Sequence, residues 1–393
     1  MSILKYDAVI LGAGAAGLMC ALRAGQRGKQ VLLLDHADKV GSKILISGGG
    51  RCNFTNRHVA PDKFISDNPH FCRSALQGYT QHDFLSLVEK YKIAYHEKTL
   101  GQLFCDRSAQ DIVDMLLNEC RIANVEIRTQ CPITSVEGGK TFVITTQNER
   151  LETPVLVLAT GGLSIPKMGA TGLSYRIAEQ FGLPLTDIRP GLVPLTFDDA
   201  MLDMMRGLAG LSLEVVAKCE KRSFQEAMIF THRGLSGPAI LQISSYWRDG
   251  QTLTLDLVPD IDAEAFLLDR KKGRPKAELK TIVGELLPQR LAQALATSSF
   301  PNAPIGMISD RGIRGVATTL KNWKVKPTGS EGYAKAEVTL GGISTKALSS
   351  KTMEATSQRG LYVIGEAVDV TGWLGGYNFQ WAWSSGWAAG SAL

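Results

Sequence analysis

The sequence predicts an α/β protein in which a parallel-sheet domain is interrupted by an inserted domain. Three observations predict it: 393 residues exceed what one hydrophobic core usually serves, a glycine turn joins an apolar run to a helical pattern near the N-terminus, and alternating patterns replace that arrangement after residue 190. Hydrophobic residues make up 44% and charged residues 21% of the chain, and no apolar run approaches the length of a membrane span. We therefore expect neither a disordered nor a transmembrane protein.

The N-terminal segment predicts a strand, a tight turn, a helix and a second strand. An apolar run (DAVIL) precedes the turn GAGAAG, and a second apolar run (VLLL) ends in Asp35. This is G-x-G-x-x-G in the setting of a dinucleotide-binding, or Rossmann, unit. Gly12 would permit the turn, Gly14 would let the main chain approach a pyrophosphate, and Gly17 would let helix pack on strand. Asp35 would accept hydrogen bonds from the adenosine ribose; the alternative is a turn that needs small residues only for packing.

Two later glycine-rich segments favour FAD over NAD. Residues 41–56 (GSKILISGGGRCNFTN) predict a second loop rich in hydrogen-bond donors, where a pyrophosphate and a flavin ring would extend beyond the adenosine. Near the C-terminus, a strand (LYVI) leads into residues 365–378, and a helix is predicted to begin after Gly376. The N-terminus of that helix would stabilise negative charge on a reduced flavin. We therefore expect an electron-carrying cofactor.

Several segments resemble those of the BaiN/RdsA (YhiN-type) family of FAD-dependent oxidoreductases: GAGAAG, GSKILISGGGRCNFTN, VLATGG, FTHRGLSGPAILQIS, VTLGGIS and GEAVDVTGWLGGYNFQWAW. The resemblance covers essentially the whole chain. It implies an FAD domain like those of the glutathione-reductase and fumarate-reductase clan, with a second domain inserted before the last FAD strand. The FAD contacts that it implies are Gly12, Gly14, Ala15, Gly17, Asp35, Lys43, Gly49, Arg51, Cys52, Asn53, Ile133, Thr160, Gly161, Gly365, Asp369, Gly376, Tyr377 and Asn378.

A break in the pattern at RPGLVP marks a domain boundary. We expect residues 1–190 and 335–393 to form a discontinuous FAD-binding domain, and residues 191–334 to form the inserted substrate domain. Alternating runs (LSLEVVA and TLTLDLV) predict strands in the insertion. A small helical part is expected at about residues 260–325.

Positive charge is concentrated in the expected insertion. Residues 270–326 carry 12 Lys or Arg against 3 acidic residues, whereas the whole chain has a net charge of +5. One interpretation is a solvated face, which is what most charged runs are. The other is an electrostatic footprint for nucleic acid. In the second interpretation the RNA contacts are Arg270, Lys271, Lys272, Arg274, Lys276, Lys321 and Lys324.

The family resemblance implies reduction of a polarised C=C bond by hydride from reduced flavin. The substrate is a steroid enone in one branch of the family and a uridine of large-subunit (23S) ribosomal RNA, converted to dihydrouridine, in the other. The basic segment favours the RNA branch, with the rRNA or its assembly intermediate as partner. Uracil reduction needs hydride at C6, a donor at O4 and an acid for C5.

The candidate catalytic residues are Cys52, His232, Arg51 and Tyr377, with Arg233 beside His232. Cys52 is a candidate acid because the adjacent cation would tune its thiol pKa; the alternative is a loop residue that contacts FAD through its main chain. His232 precedes a glycine turn and is either a substrate contact or a structural histidine.

The remaining expectations concern the reductant, metals and location. Only one complete dinucleotide fingerprint is present, so either NADPH or NADH would act as a transient reductant, or the reductant is something else. The 6 histidines and 7 cysteines show no metal-ligand spacing, and the odd cysteine set fits a reducing cytoplasm. Other functions left open are a small-molecule enone or steroid reductase, an amine oxidase that uses oxygen, and an RNA-binding flavoprotein without turnover.

Overall fold

The computed structural model describes residues 3–393, which divide into two compact units. The first unit comprises the chain up to Pro190 together with Glu337–Leu393, and the second unit is Gly191–Ala336. The chain leaves the first unit once and returns to it once. The second unit is therefore an insertion in the sequence of the first.

Short strands and helices follow one another along both units. In chain order, the strands are β1 (Ile3–Lys5), β2 (Ala8–Leu11), β3 (Val31–Leu34), β4 (Asn53–Asn56), β5 (Phe64–Ile65), β6 (Tyr95–Glu97), β7 (Gln102–Cys105), β8 (Glu126–Arg128), β9 (Ile133–Glu137), β10 (Phe142–Thr146), β11 (Arg150–Thr153), β12 (Leu156–Leu158), β13 (Arg189–Gly191), β14 (Leu195–Thr196), β15 (Ser212–Cys219), β16 (Arg222–Thr231), β17 (Gly234–Ser236), β18 (Leu253–Asp256), β19 (Trp323–Val325), β20 (Gly329–Ser330), β21 (Val338–Leu340), β22 (Leu361–Val363) and β23 (Thr371–Gly372). The helices are α1 (Ala15–Gln26), α2 (Ser42–Ile46), α3 (Arg73–Gly78), α4 (Gln81–Lys90), α5 (Gln110–Ile122), α6 (Leu173–Gln180), α7 (Asp199–Arg206), α8 (Pro238–Ser244), α9 (Ala263–Gly273), α10 (Leu279–Val283), α11 (Gln289–Ser298), α12 (Asp310–Lys321) and α13 (Tyr377–Ala392).

The centre of the first unit is a parallel sheet with the strand order β22-β12-β2-β3-β8. Each neighbouring pair in it is parallel. Strands β2, β3, β12 and β22 are buried along their whole length, which is why they read as continuous apolar runs rather than alternating ones. Since β2 is the central strand, the glycine turn that follows it lies at the middle of the sheet's carboxyl edge.

The C-terminal helix α13 packs closely against α1. A Cβ added at Gly386 would lie 2.5 Å from the carbonyl oxygen of Ala16, and one added at Gly390 would lie 2.6 Å from that of Cys20. Such distances are closer than real Cβ atoms approach, so the missing side chains allow the two helices to touch through their backbones. The end of the chain thereby supports the helix that follows the glycine turn.

The tryptophans of α13 belong to the core. Trp381 donates its indole N–H to the carbonyl of Gly365 at 2.9 Å, and Trp383 donates to the carbonyl of Phe54 at 2.8 Å. Trp383 also stacks on Phe84 with ring centroids 4.4 Å apart. A buried indole needs a partner for its N–H, and main-chain carbonyls next to two predicted cofactor loops provide it. These rings therefore fix the loops in place.

The second unit is built on an antiparallel sheet with the order β19-β18-β15-β16-β17-β14-β20. Its longest pairing joins β15 to β16, from Ser212 opposite Ile229 to Cys219 opposite Arg222. Helices α9 to α12 lie between β18 and β19 in the sequence. The unit thus combines a β portion with a small helical portion.

Within residues 3–393, the helices lack the combination of length and apolar character that crossing a membrane requires. All seven cysteines are free thiols, and six of them are buried. In the same described part of the chain, His, Cys, Asp and Glu side chains form no group of three that could hold a metal ion.

Candidate functional site

The carboxyl edge of the parallel sheet gathers four predicted site segments. Gly12 follows β2, Asp35 follows β3, Thr160 comes shortly after β12, and Gly365 comes shortly after β22. Parallel strands end at the same edge, and open α/β sheets bind their ligands at that edge. The fold of the sheet therefore brings the four segments together into one candidate site.

The three motif glycines have different surroundings. Gly12 has φ +108°, and a Cβ there would lie 2.4 Å from the carbonyl oxygen of Ala159. A Cβ at Gly17 would lie 1.9 Å from the carbonyl oxygen of Gly12, so only glycine lets α1 pack on the turn. At Gly14, which precedes the uncapped start of α1 at Ala15, the added Cβ would meet nothing within 4 Å. The space in front of the helix is thus open to a group such as a pyrophosphate.

Asp35 is held in position by main-chain donors. One carboxylate oxygen accepts from the N–H of Ala13 at 2.7 Å, and the other accepts from the N–H of Ala37 at 2.9 Å. The carboxylate therefore ties β3 to the glycine turn. Each oxygen has a second lone pair, so the predicted ribose hydrogen bond is compatible with this arrangement.

The contacts around Ile133, Thr160 and Gly161 position backbone rather than side chains. Ile133 begins β9, in a separate sheet of order β1-β11-β10-β9, shortly after Cys131 donates its N–H to the Asp35 carbonyl at 2.8 Å. The hydroxyl of Thr160 lies 2.7 Å from that of Ser174, and Gly161 has φ +74°. The predicted FAD contacts at Ile133, Thr160 and Gly161 are therefore compatible with contacts through the main chain.

Lys43, a predicted FAD contact, forms an ion pair with a carboxylate that was not predicted as part of the site. Its ammonium lies 2.6 Å from the carboxylate of Glu366 and donates to the hydroxyl of Ser164 at 2.7 Å. The other carboxylate oxygen of Glu366 accepts from the N–H of Thr339 at 2.8 Å and from Ser164 at 3.0 Å. Burial raises the pKa of Glu366, but Lys43 and these donors outweigh burial and hold that pKa below its ordinary value.

Glu366 and Ser164 were not predicted as site residues. A signal for Glu366 was present, because an acid after a buried strand is what identified Asp35, and Glu366 stands in a similar relation to β22. For Ser164 the sequence offered no such signal. Only the fold brings it to Lys43.

The glycine loop is a run of left-handed backbone. Gly48, Gly49 and Gly50 have φ of +57°, +68° and +86°, and Cys52 has φ +46°. Arg51 is exposed, whereas Cys52 is fully buried and its N–H donates to the Ser47 carbonyl at 3.0 Å. Conformations of this kind at a non-glycine residue persist only where the surroundings enforce them.

The expected effect of Arg51 on the Cys52 thiol is not found. Burial raises the pKa of Cys52, the Ser47 hydrogen bond lowers it only in part, and Cys105 raises it further. The physical reason is that the thiol lies in the core while the guanidinium lies in solvent. The alternative, a loop residue that contacts FAD through its main chain, stays a prediction.

Asn53 and Gly376 join the glycine loop to the last helix. In the orientation that satisfies both ends of its amide, Asn53 donates to the Leu103 carbonyl at 3.2 Å and accepts from the Gly376 N–H at 3.3 Å. Gly376 has φ +94°, and a Cβ there would lie 2.4 Å from the carbonyl oxygen of Thr55. The loop and the start of α13 are therefore fixed against each other.

Tyr377 and Asn378, the first residues of α13, point to different partners. The Tyr377 ring is buried and packs edge-on against Phe64 with centroids 6.2 Å apart. The Asn378 amide accepts from the N–H of Gly372 and donates to its carbonyl, both at 2.8 Å. The Asn378 side chain thus closes the turn before the helix, and its predicted FAD contact would have to come from its main chain.

Asp369 is a buried carboxyl near the same edge. It accepts from the N–H of Asp67 at 3.0 Å, and only 5% of it is exposed. Burial raises its pKa to about 6, against the lowering effect of that hydrogen bond. Its carboxyl therefore takes up a proton at a higher pH than an exposed aspartate does.

His232 and Arg233 belong to the second unit, in the turn between β16 and β17. Both are exposed, and the Arg233 guanidinium lies 3.4 Å from the carboxylate of Glu331. Because the hairpin turn is exposed, His232 is not a histidine buried in the core. Its role remains a prediction.

Six of the seven predicted RNA contacts fall into two groups. Arg270 and Arg274 pair with Glu285, and Lys271 pairs with Asp310 at 2.7 Å. Lys272, Lys276 and Lys324 are exposed to solvent. The second group is the better candidate for phosphate contact, because its cations are not already engaged in these ion pairs.

Lys321 has a structural role that the sequence did not indicate. Its ammonium donates to the carbonyls of Val258 and Pro259 at 3.0 and 3.1 Å and lies 2.7 Å from the carboxylate of Asp256. These acceptors engage the Lys321 ammonium within the protein, so Lys321 is not one of the exposed, unpaired cations, and its RNA contact stays a prediction. It joins the end of α12 to the segment after β18.

Nearly the whole chain matches one known protein family. Residues 6–392 match the HI0933-like protein Rossmann domain. The chain belongs to the HI0933-like Rossmann family. The family resemblance and the α/β Rossmann fold predicted from the sequence are thereby confirmed.

Three curated proteins resemble the chain over its whole length. It is 51% identical over 392 residues to the ribosomal RNA dihydrouridine synthase of Escherichia coli K12, covering 99% of this chain and 98% of that protein. It is 46% identical over 393 residues to the ribosomal RNA dihydrouridine synthase of Haemophilus influenzae, covering 98% of both. Identity to the 3-dehydro-bile acid delta(4,6)-reductase of Clostridium scindens is 28% over 403 residues, again covering 98% of both chains.

Proposed function

We propose that this protein is an FAD-dependent reductase that converts a uridine of large-subunit ribosomal RNA to dihydrouridine. The observation that carries the proposal is the 51% identity, across 99% of the chain, to a ribosomal RNA dihydrouridine synthase. Identity to the bile acid reductase is lower, at 28% over a similar length. Both relatives are named for reactions at a carbon–carbon bond, so the reaction class is common to them and the RNA substrate is the more specific part of the proposal.

The geometry of the carboxyl edge fits FAD. The open space at Gly14 suits a pyrophosphate, Asp35 retains lone pairs for a ribose, and the N-terminus of α13 suits the electron-rich edge of a flavin. When bound, FAD would supply the hydride that reduces the C5=C6 bond of uracil. The residues proposed to hold it are those named from the family resemblance, together with Glu366 through its ion pair with Lys43.

The chain would orient the uracil and deliver one proton. Tyr377 and His232 remain the proposed donors, since a phenol or an imidazole can protonate C5 or donate to O4. Arg51 is the proposed cation beside the reacting base, while Cys52 is proposed to support the loop.

The proposed partner is the 23S rRNA or its assembly intermediate in the cytoplasm. Lys272, Lys276 and Lys324 are the proposed phosphate contacts of the second unit, because they are exposed cations. NADPH or NADH is the proposed reductant. It would bind transiently, since the sequence carries one complete dinucleotide fingerprint.

The test is a mass map of large-subunit rRNA from cells with and without the gene. We expect one uridine to carry two additional hydrogens only when the gene is present, and purified protein with FAD and NADPH to restore that mass on RNA from deleted cells. Identical maps would contradict the proposal. Reduction of a small steroid enone, but not of RNA, would instead favour the chemistry of the bile acid reductase.

A further inference from the structure

A cavity of about 470 Å³ lies beside the glycine loop of the first unit. Its lining comes from that loop and from the hairpin of β6 and β7: Gly48, Gly49, Arg51, His96, Lys98 and Phe104. The last three residues have no role in the proposed cofactor site. The cavity therefore adds a surface from another part of the unit to the loop.

The walls of the cavity carry positive charge. Arg51 and Lys98 are exposed cations, and the Lys98 ammonium lies 5.5 Å from the ring centroid of Phe104. The ring of His96 is nearly parallel to that of Phe104, and its Nδ1 lies 2.7 Å from the carboxylate of Asp106. Asp106 thus orients the imidazole and leaves Nε2 as its remaining polar atom.

Two acidic residues of the β6–β7 hairpin region contact other side chains. Glu97, next to Lys98 in the chain, pairs with Arg57, and Asp106 contacts His96. The Glu97 carboxylate is therefore engaged by Arg57 rather than by Lys98. An anion is the ligand class that two such cations favour.

The glycines shape the cavity on the loop side. A Cβ at Gly48 would lie 2.7 Å from the Phe104 ring, so the loop backbone packs directly on that ring. At Gly49 an added Cβ would meet nothing within 4 Å. Phe104 is only 9% exposed and forms a floor, which offers a base little surface to stack on. The accessible part of the cavity is thus its cationic wall and the bare loop.

We propose that this cavity binds a phosphate group of the RNA substrate next to the reacting uridine. The inference rests on the proposed function, because a uridine brought to the glycine loop carries a phosphodiester on each side of its ribose. A guanidinium takes two phosphate oxygens at once, and an ammonium adds a point charge. Holding the backbone here would keep a splayed nucleotide in place while the base is reduced.

The experiment uses the FAD-loaded full chain with Lys98→Ala, Lys98→Arg and Arg51→Ala. Binding of an rRNA fragment is measured across a KCl series, together with dihydrouridine formation and the FAD content of each variant. We expect each alanine variant to bind RNA about 5- to 10-fold more weakly at low salt, with a salt slope smaller by about 0.7 per lost contact. KM for RNA rises, kcat under saturating RNA changes little for Lys98→Ala, and Lys98→Arg restores affinity.

Lys140→Ala is the matched control, because it removes an exposed cation of the same unit outside the cavity. Wild-type affinity and salt slope in both alanine variants would overturn the inference. Loss of FAD from Lys98→Ala, which lies outside the proposed cofactor contacts, would also overturn it, as would a raised KM for NADPH with unchanged RNA binding, since the phosphate would then belong to the cofactor or the reductant. If the wild-type protein binds no rRNA, the proposed function is wrong, and this inference is wrong with it.

Discussion

At the residue scale, the pair of Lys43 and Glu366 connects α2, which leads into the glycine loop, to the segment after β22. Three groups donate to the Glu366 carboxylate: the Lys43 ammonium, the Ser164 hydroxyl and the Thr339 N–H. Removing one partner of a buried ion pair leaves the charge of the other partner uncompensated. This destabilises the folded protein more than removing both partners does. A change at Glu366 should therefore affect the loop as a unit.

We predict that Glu366→Gln lowers the free energy of unfolding by about 1–3 kcal/mol at pH 7 and weakens retention of FAD. Because the pKa of Glu366 is lowered in the folded state, its stabilising effect is present above the ordinary glutamate pKa and is lost as pH falls through the folded-state pKa. The free energies of unfolding of wild type and Glu366→Gln, measured by urea denaturation, should thus become equal at acidic pH. Glu179→Gln, at an exposed glutamate of α6, is the control; equal stability of the two variants at pH 7 would contradict the prediction.

Cys52 illustrates the limit of sequence reasoning at this scale. Its neighbour in the chain is a cation, which suggested a tuned thiol, but a neighbour in sequence is not a neighbour in space. The loop turns through left-handed backbone, so successive side chains face solvent and core in turn. Burial and its effect on pKa were decided by that turn.

At the element scale, Lys321 joins the end of α12 to the segment that follows β18. Its ammonium occupies a position surrounded by main-chain carbonyls and the Asp256 carboxylate. Those carbonyls need a donor wherever water is excluded. The Lys321 ammonium is therefore one of the contacts that join α12 to the sheet, beside the hydrogen bond from the Leu257 N–H to the Leu320 carbonyl at 2.9 Å.

We predict that Lys321→Met destabilises the protein by about 1–3 kcal/mol and leaves RNA affinity unchanged apart from that loss. Lys326→Met, at an exposed lysine nearby in the chain, should change stability by less than about 0.5 kcal/mol. Chemical unfolding and RNA binding at low salt measure the two effects. A Lys321→Met protein of full stability with weakened RNA binding would restore the original interpretation of this lysine.

At the scale of the whole molecule, charge is distributed unevenly along the chain. The whole protein has a net charge of +5, yet residues 270–326 hold 12 basic and 3 acidic residues. Part of that excess is engaged in ion pairs with Glu285 and Asp310. The exposed remainder can act at long range on a polyanion.

We predict that the triple variant Lys272→Ala, Lys276→Ala, Lys324→Ala weakens RNA binding for every sequence tested and lowers the salt slope by about 2. The control removes three exposed lysines of the first unit, Lys39, Lys140 and Lys351. Titration of an rRNA fragment across a KCl series measures both slopes. Equal losses in the two triple variants would mean that net charge alone, and not the basic segment, governs binding.

The sequence by itself determined the Rossmann fold and the family. A buried parallel strand, a glycine turn and an acid after the next strand are local patterns, and each follows from backbone geometry over a few residues. The strand that ends at Leu34 and the acid Asp35 could be identified in this way. The break at residues 189–194 is a local pattern of the same kind, and it predicts a domain boundary.

Only the tertiary structure decided which side chains meet. Lys43 and Glu366 are far apart in the chain, as are Arg51 and Lys98, and nothing in a local pattern specifies such contacts. The same holds for the saturation of Lys321 and the burial of Cys52. Charge and residue type are written in the sequence, but distance, burial and hydrogen-bond partners arise when the chain folds, and those quantities decide what each group can do.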